Sequence, residues 1–234
     1  MNKLSPSRLL LALVLGFAWA LAFPEPGWSG LAWLVPGTLL VMVAGINGWR
    51  LFGLAFLAAL VFRLVSLRFL LNIPHVPGAF SGWLALSIYS AFFPAIWVSL
   101  CGICFRFELR IDQWPWFKRF CFGLFVSALW VGIEMFQARL LGGYPWNFLG
   151  VTQFENKPLI QIASVTGVYG VSFLIVWLSV NLLFAVIQIR KKTVNPWGWV
   201  SDVVVPCLFL ICLLYTSDAA DEGLGVDLGG RRII

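Results

Sequence analysis

Thr166-Gly-Val-Tyr-Gly-Val-Ser-Phe-Leu-Ile-Val-Trp-Leu-Ser-Val-Asn-Leu-Leu-Phe-Ala-Val-Ile-Gln-Ile189 contains no charged side chain and runs straight into Arg190-Lys-Lys192. About 20 predominantly apolar residues cross a hydrocarbon core as one helix, and a basic cluster at one end marks the cytoplasmic side. This stretch therefore reads as a transmembrane helix. Six more apolar runs surround it: Leu9–Phe23, Leu31–Ile46, Leu51–Leu67, Ser81–Phe105, Phe120–Phe136 and Trp199–Tyr215. The shorter ones need flanking aromatics to reach the interface. Pro36, Pro94 and Pro206 fall inside runs, which membrane helices tolerate when neighbours satisfy the freed carbonyls. The expectation is an all-α membrane protein, a bundle of about seven transmembrane helices.

Composition agrees. Hydrophobic residues make up 61% of the 234-residue chain and charged residues 11%, against roughly 25% charged in a soluble domain. One soluble core of this size cannot hide so much apolar surface. The 13 Trp suit a protein with many membrane interfaces, where Trp and Tyr settle at headgroup level. The net charge of +6 does not point to nucleic acid, because the basic residues sit between apolar runs. No A-x-A-like cleavage site follows the first run, so it reads as a retained helix and not a signal peptide.

Lys and Arg set the orientation. With the N-terminus cytoplasmic, Lys3, Arg8, Arg50, Arg106, Arg110, Lys118, Arg119, Arg190, Lys191 and Lys192 fall inside, and Arg63, Arg68, Arg139 and Lys157 fall outside. The reverse topology inverts that ten-to-four ratio. The 137–165 connection and the C-terminus then face outward.

Soluble-enzyme motifs are lacking: there is no HExxH, Walker A loop or GxSxG, and no metal or cofactor is expected. The five cysteines lie in or beside apolar runs. Cys101-Gly-Ile-Cys104 has CxxC spacing but no further Cys or His nearby, and it reads as packing. His75, between Pro74 and Pro77, reads as a loop or interface residue. Gly167-Val-Tyr-Gly170 reads equally as a close helix-packing step or as part of a site.

The outer connection is the most informative polar segment. Gly142-Gly-Tyr-Pro-Trp-Asn147 reads as a shaped turn, since Gly permits unusual dihedrals and Pro fixes one. Composition alone allows it to be only an interfacial aromatic anchor. Glu134, near the outer end of the fifth run, is costly at membrane depth. It is either functional or a carboxylate reaching the interface to meet Arg139.

Taken in order, Trp130-x-x-x-Glu134, Gly143-Tyr-Pro-Trp146, Leu149-Gly150, Gln161-Ile-Ala-Ser164, Gly167-Val-Tyr-Gly-Val-Ser-Phe173 and Asn181 resemble the apolipoprotein N-acyltransferase family. The resemblance covers about Trp130 to Asn181, with a weaker likeness over Leu9 to Pro26. Gln137 stands where that family commonly has Arg, Tyr144 replaces a Phe, and the stretch through Arg63, Arg68 and His75 matches poorly. The resemblance implies a multi-span domain joined to an outward nitrilase-like domain with a Glu-Lys-Cys triad. There a Cys thiolate takes an acyl chain from a membrane phospholipid as a thioester. It then passes the chain to the N-terminal amino group of a diacylglyceryl lipoprotein. The Glu acts as base and the Lys stabilises the oxyanion. No residue of this chain is expected in that triad. Glu134, Arg139, Tyr144, Pro145, Trp146 and Asn147 are the candidates for meeting lipid or the catalytic domain.

Residues 1–211 read as this membrane domain. Cys212-Leu-Leu-Tyr-Thr-Ser-Asp-Ala-Ala-Asp221 and Val226-Asp-Leu-Gly-Gly-Arg-Arg-Ile-Ile234 resemble an in-frame translation of adjoining sequencing-adapter segments, with Glu222-Gly-Leu-Gly225 between them as a barcode. Residues 212–234 are therefore expected to be non-native, and the chain by itself is expected to be inactive. A polytopic transporter-like or structural membrane protein of the inner membrane is the alternative. Scarce ionisable residues in the spans and the lack of an inverted repeat weigh against a transporter.

Overall fold

The computed structural model describes residues 5–73, 78–105, 114–191, 199–208 and 211. His75 and the 212–234 segment lie outside the described residues, as does the side chain of Cys104. Among the described residues the secondary structure is entirely helical. The elements are α1 (Pro6–Leu21), α2 (Val35–Val43), α3 (Trp49–Ser66), α4 (Ala79–Phe105), α5 (Trp116–Gln137), α6 (Lys157–Ile160), α7 (Ala163–Thr166), α8 (Val168–Lys191) and α9 (Trp199–Leu208). Short 3₁₀ turns occupy Ser29–Trp33, Arg68–Asn72, Leu140–Gly142 and Leu149–Gln153.

Four of these helices, built on α3, α4, α5 and α8, are long and apolar enough to cross a membrane. The 27 residues of α4 reach about 40 Å and the 16 of α1 about 24 Å. The second apolar run departs from expectation: it folds as a 3₁₀ turn followed by α2, which has only 9 residues. Pro36 lies in the first turn of α2, where a missing N–H costs nothing. Pro94 lies within α4.

The burial pattern is that of a protein solvated by hydrocarbon. Leu10, Phe17, Ile103, Phe125, Val186 and Ile189 are exposed on helix surfaces, while Ser87, Ser90, Ser127, Ser172, Ser179, Asn181 and Gln188 are buried. Apolar surface left in water costs about 25 cal/mol per Å², and lipid removes that cost. Two of the buried hydroxyls bond back along their own helices, Ser127 Oγ to Gly123 O at 2.7 Å and Ser90 Oγ to Leu86 O at 2.7 Å.

Helix α3 packs against α1 and α4, and α5 packs against α8. Small residues allow the closest approaches. A Cβ on Gly37 would meet Ser179 O at 2.7 Å, and the Gly37 N–H donates to Ser179 Oγ at 2.9 Å, joining α2 to α8. At the core centre Trp19 stacks on Phe62 with centroids 4.1 Å apart, and Trp130 meets Trp97 edge-on at 4.9 Å. Cys101 is fully buried, as packing requires.

Two polar clusters mark opposite ends of the bundle. At one, Arg119 of α5 donates through Nε to both carboxylate oxygens of Asp202 in α9, 2.9 Å each. Gln188 of α8 donates to the same carboxylate, and Arg119 also donates to Trp114 O. At the other end the C-termini of α1, α3 and α5 meet the N-terminus of α8, with the 138–156 connection folded over them.

Candidate functional site

Trp130, Glu134 and Gln137 lie three to four residues apart and share one face of α5. All three are buried. Glu134 Oε1 accepts the Trp130 Nε1–H at 2.8 Å and the Leu149 backbone N–H at 2.8 Å. The adjacent Gly150 N–H donates to Ser172 Oγ of α8 at 2.8 Å. Gln137 and Tyr144 exchange two bonds: Tyr144 N–H to Gln137 O at 3.3 Å, and Gln137 Nε2–H to Tyr144 O at 3.2 Å. The Trp-x-x-x-Glu, Leu-Gly and Gly-Val-Tyr-Gly-Val-Ser motifs are thus parts of one hydrogen-bonded joint.

The turn between Gln137 and Leu149 needs its glycines. Gly142 and Gly143 have φ of 89° and 90°, a region that side chains disfavour. A Cβ on Gly143 would also stand 2.7 Å from Ala138 O. Asn147 adopts φ 56°, which Asn tolerates better than most residues, and its Nδ2–H donates to Ser66 Oγ of α3 at 2.8 Å. Further on, Gln153 donates to Ser29 O at 3.1 Å and accepts the Trp33 Nε1–H at 3.3 Å. The connection is pinned to α3, α5, α8 and the turn before α2.

The six sequence candidates separate. Glu134, Tyr144 and Asn147 converge on this joint. Trp146 is 44% exposed, with its ring 5.6 Å from Phe69 and 5.3 Å from Tyr144. Pro145 is exposed. The Tyr144 ring is buried, and burial pushes its phenol up to about 12 against the opposing pull of Arg63.

The expected meeting of Glu134 with Arg139 does not occur. Arg139 is exposed and donates to Met135 O at 2.9 Å. Five residues of helix turn it about 140° away from Glu134. The charge facing Glu134 comes instead from Arg63 of α3, a buried residue whose guanidinium lies 4.8 Å over the Phe62 ring and reaches Trp146 O at 3.5 Å. By sequence Arg63 reads only as a residue at an outer helix end. Its one available signal was a lone cation within an apolar run. Glu134 is enclosed and cannot meet a lipid headgroup directly.

Asn181 turns out to be a packing residue. Its Nδ2–H donates to Trp177 O at 2.8 Å, and a Cβ on Gly123 would touch that nitrogen at 3.0 Å. Beside the joint, an apolar groove of about 460 Å³ runs between α5 and α8, lined by Val131, Met135, Ile162, Tyr169 and Phe173 among others. Among the described residues no cluster of His, Cys, Asp and Glu could hold a metal ion.

The model of the apolipoprotein N-acyltransferase N-terminal domain matches residues 15–181. This chain belongs to the apolipoprotein N-acyltransferase family. It is 32% identical over 214 residues to an apolipoprotein N-acyltransferase of Geobacter metallireducens, covering 88% of this chain and 39% of that protein. The corresponding protein of Coxiella burnetii is 29% identical over 214 residues, covering 87% of this chain and 39% of the relative. Apolipoprotein N-acyltransferase 1 of Treponema denticola is 33% identical over 144 residues. The chain therefore spans about two fifths of the length of these two acyltransferases. The motif residues from Trp130 to Ser172, which the structure joins by hydrogen bonds, lie wholly inside the matched region.

Proposed function

We propose that residues 1–211 are the membrane domain of an apolipoprotein N-acyltransferase of a bacterial cytoplasmic membrane, and that this domain serves lipoprotein maturation. The acyl donor is a membrane phospholipid and the acceptor is the N-terminal amine of a diacylglyceryl lipoprotein. The N-terminus faces the cytoplasm and the 137–165 connection faces out. The reaction runs through a Cys thioester in a nitrilase-like domain that follows this one, and no group of the present chain acts as nucleophile. Residues 212–234 are adapter-derived. Sequencing the source locus across the Ile211 codon tests both statements: continuation into a domain with Glu, Lys and Cys is expected, and a stop after Ile234 would overturn them.

The observation that carries the reading is the exposed Trp146, held against Phe69 on a buried polar joint. An interfacial Trp normally floats at headgroup level. This one is fixed by Tyr144, Asn147 and the bond from Arg63, which makes it a rigid wall for an acyl chain leaving the bilayer. The groove between α5 and α8 offers an apolar path at the same end of the bundle. In an intact family member, replacing the residue equivalent to Trp146 with Ala should slow acyl transfer about tenfold, or ~1.4 kcal/mol of barrier. Unchanged turnover would remove this loop from the mechanism.

A further inference from the structure

Trp19 Nε1, Arg63 Nε and Glu134 Oε2 are among the buried side-chain polar atoms that have no geometric hydrogen-bond partner within the described residues. They belong to α1, α3 and α5, and all three residues line a single cavity of about 20 Å³. Its wall is otherwise mostly apolar, with Gln137 and Asn147 its other polar residues besides the indoles of Trp97 and Trp130. Trp19, Arg63 and Glu134 are 1%, 3% and 5% exposed. A buried polar group without a partner costs about 1–3 kcal/mol, so three around one cavity point to something that joins them.

We propose that this cavity is a binding site for one water molecule, which bridges Trp19, Arg63 and Glu134 beneath the outer connection. The volume exceeds the roughly 10–15 Å³ a water needs and leaves no room for a larger solute. The donor inventory matches as well. Trp19 Nε1–H and Arg63 Nε–H are donors, and Glu134 Oε2 is an acceptor. Water takes two hydrogen bonds on its lone pairs and gives one back. A metal cation would face the Trp19 N–H and the Arg63 guanidinium, and a halide would face a carboxylate, so neither suits the set. Ser172 Oγ accepts the Gly150 N–H and keeps its own O–H to donate towards this carboxylate, whose oxygens together have about four lone-pair sites and so still leave one for the water.

The bridge has a structural consequence. Arg63 holds Trp146 O and Glu134 holds Leu149 N–H, so the water joins the two supports of the 144–150 segment. Trp19, which does not touch that segment through any hydrogen bond, thereby becomes a positioning residue for it.

Two measurements on the full chain in lipid nanodiscs test this. A structure at a resolution that shows solvent should place one density peak within hydrogen-bonding distance of all three atoms. Trp19→Phe keeps the ring that stacks on Phe62 and removes only the donor. It should speed hydrogen exchange at the Leu149 and Tyr144 amides roughly fivefold, the scale of one net hydrogen bond. The lipid-facing variant Phe17→Leu should leave exchange unchanged. An empty cavity, a direct Arg63–Glu134 contact, an ion in the cavity or unaltered exchange in Trp19→Phe would each overturn the bridge. Neither readout depends on acyl transfer, so failure here would leave the acyltransferase reading untouched.

Discussion

Glu134 Oε1 lies 2.8 Å from the backbone nitrogen of Leu149, fifteen residues further along the chain. One carboxylate oxygen thus fixes where the outer connection returns to the bundle, and Trp130 supplies its second donor. Glu134→Ala leaves the buried Leu149 N–H and Trp130 Nε1–H without an acceptor. We expect a loss of about 2–4 kcal/mol, seen as a lower Tm in detergent and faster proteolysis within 138–156. Glu134→Gln keeps an acceptor oxygen and should lose less than half as much. Equal losses in the two variants would show that the charge, not the accepted bonds, sets the stability.

Gly150 offers a steric test. A Cβ there would stand 2.5 Å from the Val168 carbonyl oxygen, a backbone atom that cannot rotate away. Gly150→Ala should destabilise by about 1–3 kcal/mol. Gly132, on α5, has nothing within 4 Å of its ideal Cβ, so Gly132→Ala should be neutral or slightly stabilising. Parallel thermal unfolding of the two variants checks the contrast.

Arg119 and Asp202 form a buried ion pair, N to O 2.9 Å, with side chains 4% and 3% exposed. Removing one partner strands the other charge. Arg119→Met or Asp202→Leu alone should cost about 3–5 kcal/mol, and the double variant far less than the sum. A double-mutant cycle on thermal unfolding measures the coupling. Additive losses would mean that the pair does not hold α9 in place.

Gln137 and Tyr144 hold each other across the glycine turn. Gln137→Ala removes one of the two bonds and should raise hydrogen exchange at Gly143 and Tyr144 without changing the amide protection of α8. Equal loosening of α8 would mean that Gln137 supports the whole joint and not the turn alone.

Burial of the Tyr144 ring raises its phenol to about 12, above the ordinary value of about 10. Because the folded value is the higher one, its contribution is complete below about pH 10 and disappears as pH climbs towards 12. Tyrosinate absorbance in a base titration should contain a late component that Tyr144→Phe removes. Loss of no such component would place the ring in contact with solvent.

How much was legible in the sequence differs from residue to residue. The uninterrupted run before Arg190 and the run holding Trp130 and Glu134 were readable because one helix in lipid must be apolar along its whole length. The ordered motifs from Trp130 to Ser172 were readable as a set, because order and spacing survive without contacts. Arg63 was not readable as the cation facing Glu134 or as a support of Trp146 O. These residues lie far apart in the chain on different elements, and no local pattern encodes a separation of that kind. Asp202 likewise gave no sign that it would meet Arg119 and Gln188. The short α2 was hidden too, since apolar composition does not say where a 3₁₀ turn interrupts a run.

By itself the sequence determined the solvent, the helical class and the family motifs, since each depends on composition or on residues close together in the chain. Only the tertiary structure decided which buried charges face one another and which candidates leave the site. A helix fixes the direction of its own side chains every 100°, so the sequence shows that Glu134, Gln137 and Trp130 share a face. What stands opposite that face depends on how α1, α3 and α8 pack, and that is set by the shapes of Trp19, Phe62, Gly150 and their neighbours acting together.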